Sequence, residues 1–265
     1  MWASGDVAAA AEVDAKALEQ ERTHFRATVA YDGTDFLGFQ WQAQGRTVQG
    51  VLEGAVRRIT GQDVRVVGSG RTDSGVHARG QVIGFRVEWR HAPVDLQRAM
   101  NAVLPDDVGV LELGAAEAGW HPRFSARRRC YRYTVLNRPG PAPLERRYAW
   151  ALGEALDLEA LQAGAGLLVG EHDFGGFGQP TQGDNTVRRV FECGWSRCGR
   201  LLTLDVVGNA FLRGMVRRIV GTLIPVGMGQ WPVERISRML AEPDRALAGP
   251  PAPACGLCLM GVKYE

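Results

Sequence analysis

Long apolar runs are missing from this chain of 265 residues. The best stretch, Ile219 to Met228, is broken by glycines and a proline and falls short of the ~18 residues that cross a bilayer, so no membrane partner is expected. A positive start followed by an apolar signal core is missing too, and the first residues are too acidic for an organelle transit peptide; a cytoplasmic protein is expected. Lysine is nearly absent, since Lys16 and Lys263 are the two lysines among 31 basic residues, which leaves 29 arginines. Cysteine is scarce and odd in number (Cys130, Cys193, Cys198, Cys255 and Cys258), which argues against a disulfide framework. Cys255 and Cys258 stand at CxxC spacing, but the gap between Cys193 and Cys198 is wide, and Cys258 lies in an apolar run that reads as a buried strand. No metal is expected.

What is present is a globular composition with unevenly placed charge. At 45% hydrophobic and 23% charged, the chain is neither collagen-like, disordered nor a disulfide scaffold. The formal charge is +2, yet residues 1–22 hold five acids against two bases, so the remainder carries +5. So much arginine has two readings: a GC-rich genome, or phosphate binding by planar guanidinium forks.

Residues 1–23 read as a disordered or frayed acidic tail. Phe25 to Tyr31 alternates like a strand, and Thr47 to Ile59 places Val48, Leu52, Ala55, Val56 and Ile59 on one helical face before a stop at Gly61. Asp63 to Val67 and Gln81 to Trp89 read as strands on either side of a glycine-rich loop, and Val94 to Leu104 as a helix ended by Pro105. The second part gives strands at Cys130 to Leu136, Thr186 to Ser196, Arg200 to Val207 and Gly256 to Tyr264. Its helices are expected at Leu158 to Val169, Phe211 to Val226 and Trp231 to Leu240. Connections this short suit an antiparallel or mixed sheet with helices on one face.

Three stretches have the residue types for chemistry. In the loop Gly68 to His77, three glycines let backbone approach a ligand while Arg71 and Asp73 project two positions apart; a guanidinium would keep that carboxylate ionised and fix its direction. The other reading is a turn whose aspartate caps backbone amides. Arg123, Arg127, Arg128, Arg129 and Arg132 form an acid-free cluster, with Arg129, Tyr131 and Tyr133 on one strand face. Cation and ring together suit an RNA phosphate and an unstacked base, whereas a solvated edge with core tyrosines is the alternative. Arg213 and Arg217 form a stripe on the expected helix from Phe211, against solvent exposure as the plainer reading. His172-Asp173-Phe174 reads as a helix-to-loop cap.

Together these stretches resemble the tRNA pseudouridine synthase A family. The resemblance rests on Tyr31-Asp32-Gly33-Thr34 with Phe36, Gly38, Gln40 and Gln42, on Gly70 to Ala78, on Phe124-Ser125-Ala126 leading to Tyr131-Arg132-Tyr133, and on Asn209 to Leu212 with Met215-Val216-Arg217. It runs in order from about residue 25 to 264. It implies an α+β pseudouridine synthase fold of two similar halves, residues 24–120 and 121–265, with mostly antiparallel sheets flanked by helices and a cleft between them. It also implies a homodimer that isomerises uridine at positions 38 to 40 of the tRNA anticodon stem-loop, without cofactor or metal. Carried over, Asp73 is the catalytic carboxylate, Arg71 its ion-pair partner, Arg217 a second basic partner and Tyr131 the ring against the target uracil; Arg129 and Arg213 are expected to bind RNA.

Three features depart from the family pattern: Ser74 replaces a more usual alanine, Cys258 replaces an aromatic, and residues 1–24 have no counterpart. The arginine cluster alone also fits a non-catalytic RNA-binding protein that uses the same basic cleft.

Overall fold

The computed structural model describes residues 22–181 and 183–265. The acidic tail expected at residues 1–23 falls outside them up to residue 21. In chain order the elements are β1 (Thr23–Tyr31), α1 (Val48–Thr60), β2 (Val67–Gly68), β3 (His77–Val87), α2 (Pro93–Val103), β4 (Val108–Ala115), β5 (Arg128–Asn137), β6 (Trp150–Leu152), α3 (Leu158–Gly166), β7 (Gly170–Asp173), β8 (Val187–Cys198), β9 (Leu201–Gly208), α4 (Met215–Gly227), α5 (Glu234–Ala241) and β10 (Leu257–Lys263).

Local chemistry fixes the element ends. The Thr47 side chain accepts from the Gly50 amide to cap α1, and Gly61 closes it in the left-handed conformation at φ 72°. Pro93 starts α2, where its missing N–H costs nothing. Asp157 caps α3 by accepting from the Glu159 and Ala160 amides.

The ten strands form one sheet, with the path β4-β1-β3-β10-β5-β9-β8-β7 and with β2 on β3 and β6 on β5. All pairs are antiparallel except β3 with β10 and β5 with β6. The two sheets that the resemblance implies are thus joined into one, and the joint is β10, the last strand of the chain, seated between β3 and β5. One face is covered: along β5, Arg129, Tyr131 and Tyr133 are buried while Arg128 and Arg132 are exposed. On the covered face α1 packs against α2 and α2 against β4, whereas α3 packs against α4 and β8, so β10 and β5 lie between two helix groups. Leu52, Leu96 and Met100 are fully buried on one side, and Leu161, Leu223 and Ile236 on the other. Burying each such side chain contributes roughly 1.5–3 kcal/mol.

Several expected elements change. Asp63 to Val66 forms no strand, and Val67 and Gly68 alone pair with β3. That strand starts at His77 rather than Gln81, so the aspartate loop runs directly into the sheet. The helix expected from Phe211 begins at Met215, because Gly214 takes a left-handed φ of 72° that breaks the helical path. His172 and Asp173 end strand β7 instead of capping a helix; the Asp173 carboxylate accepts from the Gly175 amide in the following turn.

Candidate active site

Asp73 sits in a loop that is fastened on every side. Behind it, Gln81 is fully buried in β3; its Oε1 accepts from Ser69 Oγ at 2.6 Å and its Nε2 donates to the Gly70 carbonyl at 2.8 Å. One residue before Asp73, Thr72 shares a 2.8 Å hydrogen bond with the Tyr31 hydroxyl. From the side, the loop after β1 packs against it: the Phe39 amide donates to the Thr72 carbonyl, and Ser74 Oγ donates to the Phe36 carbonyl. Gly38 at φ 97° makes that approach possible, since a Cβ there would lie 2.8 Å from the Thr72 carbonyl oxygen. His77 Nδ1 lies 3.0 Å from the Gly33 amide and 3.1 Å from Asp32 Oδ1, and Nε2 lies 2.8 Å from the Arg147 carbonyl.

Register brings the remaining groups to this loop. Tyr31, Ala78, Leu259, Tyr131 and Val206 form one row across β1, β3, β10, β5 and β9. Neighbours in such a row share a sheet face, so Tyr31 and Tyr131 lie on the covered side with β3 and β10 between them. The Tyr131 ring meets Phe211 edge-on, with centroids 5.0 Å apart. Its phenol is pushed up to about 12, mainly by burial, with the Asp73 charge adding to the rise and Arg129 opposing it. The hydroxyl is therefore a neutral donor at physiological pH.

Arg217, in the first turn of α4, donates from Nε to the Ala252 carbonyl at 2.7 Å and from Nη1 to Asp73 Oδ2 at 3.5 Å. The two side chains are 21% and 34% exposed. That long contact is the one side-chain hydrogen bond of the Asp73 carboxylate among the described residues. Most of its lone pairs are open to a substrate, while a cation 144 residues away in sequence sets its direction.

The other expected site residues are placed differently. Arg71 is exposed and forms no ion pair with Asp73; the partner is Arg217, because Thr72 turns inward to Tyr31 and leaves Arg71 facing solvent. Arg129 is 8% exposed, its guanidinium held among backbone carbonyls. Its Nη1 donates to the Asn209 carbonyl, its Nε and Nη2 to the Ser69 carbonyl, and Nη2 also to the Arg123 carbonyl. Arg213 is exposed, but in the loop before α4 rather than in a helical stripe with Arg217, and its backbone pairs with Gln179. Arg132 pairs with Asp205 on the open face of the sheet. The sequence reading passed over Gln81 and Tyr31 as positioning groups. The visible signal for Gln81 was an amide side chain at the head of the apolar run Val82 to Phe85.

Among the described residues, no group of three or more histidines, cysteines or acids could hold a metal ion, and no helix is long and apolar enough to cross a membrane.

The carboxylate loop and the sheet that carries it make one candidate site, and comparison with known proteins gives the family. A family model described as tRNA pseudouridine synthase matches residues 27–125 and 165–265. A tRNA pseudouridine synthase A from Roseiflexus sp. (strain RS-1) is 46% identical over 243 residues, 89% of this chain and 88% of that protein. Its namesake in Pelobacter propionicus is 43% identical over 239 residues, covering 89% and 98%, and that of Chloroflexus aurantiacus is 45% identical over 244 residues, covering 89% and 87%. Among solved structures, a chain of a Cbf5-Nop10-Gar1 complex matches 76% of this chain at 14% identity and a TM-score of 0.34, too slight a likeness to bear on the site. The chain belongs to the tRNA pseudouridine synthase family.

Proposed function

We propose that the protein isomerises uridine to pseudouridine in tRNA, with Asp73 as the catalytic carboxylate, and that it acts on positions 38 to 40 of the anticodon stem-loop as a cytoplasmic homodimer. The observation that carries the reading is the Asp73 carboxylate itself: held in direction by Arg217 at 3.5 Å, beside the Tyr131 ring, and otherwise unengaged.

The reaction breaks the N1–C1′ bond, turns the uracil and joins C5 to C1′. Atoms and electrons balance within the nucleotide, so the carboxylate is the one reactive group required, as a nucleophile at base or sugar or as a base at the sugar. A uridine in a stem must first leave the stack, at a cost of a few kcal/mol that stacking on Tyr131 and phosphate contacts offset. Arg217 orients the carboxylate in a site that the bound base closes to water, and the Tyr131 hydroxyl, a neutral donor, is a candidate for assisting loss of the C5 proton.

The test is tritium release from C5-labelled uridine in tRNA. Release by the wild-type protein with loss in Asp73→Ala is expected. Binding of the stem-loop with every uridine left unchanged would instead establish a non-catalytic RNA-binding protein.

A further inference from the structure

The turn at residues 121–125 presents a feature that the chemistry above does not use. Phe124 is 75% exposed, yet it is rigidly seated. The His121 ring stacks against it with centroids 4.4 Å apart and planes 29° from parallel. His121 Nδ1 accepts from the amides of Arg123 and Phe124, and Ser125 closes the turn, its Oγ accepting from the His121 amide and its own amide donating to the His121 carbonyl. The ring is thus braced by its neighbour and by the turn while most of its surface is open to solvent.

The charge beside the ring is positive. The Arg123 guanidinium lies 5.7 Å from the Phe124 centroid and makes one long contact, 3.3 Å to Thr181 Oγ1. Arg188 is near enough to feel the Arg123 charge; its Nη1 donates to the Asn185 and Val187 carbonyls while its buried Nε has no partner among the described residues. Neither arginine forms an ion pair with an acid among the described residues. The turn is also tied to the aspartate loop, because Arg129 Nη2 donates both to the Arg123 carbonyl at 2.8 Å and to the Ser69 carbonyl at 3.0 Å.

From this geometry we infer that Phe124 is a stacking platform for an unpaired RNA base flanking the target uridine, with the adjoining phosphate on Arg123 and Arg188. An open ring with uncompensated guanidinium groups is the combination that single-stranded nucleic acid uses, the ring taking the base face and the cations the backbone. The inference rests on the RNA-modifying reading of the Asp73 site and adds to it the contact that holds a neighbour of the flipped nucleotide.

The experiment uses the full-length protein and synthetic anticodon stem-loops that carry 2-aminopurine at each loop position in turn. Binding is followed by fluorescence at equilibrium, so it reports the platform without turnover; tritium release by the wild-type protein, measured in parallel, reports the reading beneath it. Quenching at one position by wild type and Phe124→Trp is expected, with loss of that quenching and roughly 5- to 150-fold weaker binding in Phe124→Ala. Leu111→Ala, at another exposed apolar position, is expected to bind as wild type does. Unchanged quenching and affinity in Phe124→Ala would overturn the inference. So would a changed oligomeric mass with unchanged affinity, which would make Phe124 a contact between protein copies.

Discussion

Arg129 and Ser69 stand 60 residues apart in sequence, and the Arg129 guanidinium donates to the Ser69 carbonyl from both Nε, at 3.3 Å, and Nη2, at 3.0 Å. The same group holds the Asn209 and Arg123 carbonyls. Burial pulls its pKa below the ordinary guanidinium range, with the phenols of Tyr131 and Tyr264 opposing the shift. A buried cation held by carbonyl dipoles alone is an expensive device. Its position explains the expense: it fixes the aspartate loop to two segments on the rim of the site. Arg129→Lys keeps the charge but cannot span three carbonyls, and a fall in kcat of about tenfold or more is expected, with partial rescue of Arg129→Ala by millimolar methylguanidine. Full activity in Arg129→Lys would refute the positioning role.

Arg217 makes the second prediction. Its Nε bond to Ala252 sets the side chain so that Nη1 reaches Asp73. Arg217→Lys offers a single nitrogen and cannot serve both, and a loss of about 10- to 100-fold in kcat is expected, corresponding to about 1.4–2.8 kcal/mol of barrier. Stem-loop affinity, measured by filter binding, is expected to fall much less.

The Gly38 position tests the packing of one loop on the other. Gly38→Ala must combine a left-handed φ with a Cβ 2.8 Å from the Thr72 carbonyl oxygen. A destabilisation of about 1–3 kcal/mol in urea unfolding is expected, together with a loss of activity, since the backbone that must yield is next to Asp73.

Alkaline pH gives a signed prediction. The Tyr131 phenol rises from 10.0 to about 12 on folding, so between those values the unfolded chain loses a proton that the folded chain keeps. Its contribution to stability is present below pH 10 and lost as pH rises toward 12. Tyr131→Phe is expected to flatten the fall of stability over that range, and the activity of the wild-type protein is expected to show no ionisation of this phenol below pH 10. A phenolate absorbance at 295 nm that is lost in Tyr131→Phe and titrates near pH 8 would contradict the assignment.

Local chemistry was legible in the sequence, and distant pairing was not. Thr47 and Gly61 mark the ends of α1 by side chain and by φ, so that helix could be read to within a residue. The Gly70 to His77 loop stood out in the sequence as a candidate carboxylate site because its glycines and acid are close together. Arg71 was assigned to Asp73 on spacing, although the contact goes to Arg217, because an inward Thr72 reverses the geometry that two-residue spacing suggests. Gly214 reads as an ordinary helical neighbour until its φ is known, which moved Arg213 off the helix. The insertion of β10 between β3 and β5 has no local signal, since Leu257 to Lys263 would look the same at an edge. Yet that insertion aligns Ala78 with Tyr131 through Leu259 and so builds the site.

The central claim is that the Asp73 carboxylate carries the isomerisation. Single-turnover tritium release from C5-labelled anticodon stem-loop, with wild type and Asp73→Asn at saturating protein, measures it most directly. Asn keeps the size and hydrogen-bonding reach of Asp73 and removes the charge, so binding within a few-fold of wild type and a rate at least about a thousandfold lower are predicted. Turnover in Asp73→Asn near the wild-type rate would contradict the account.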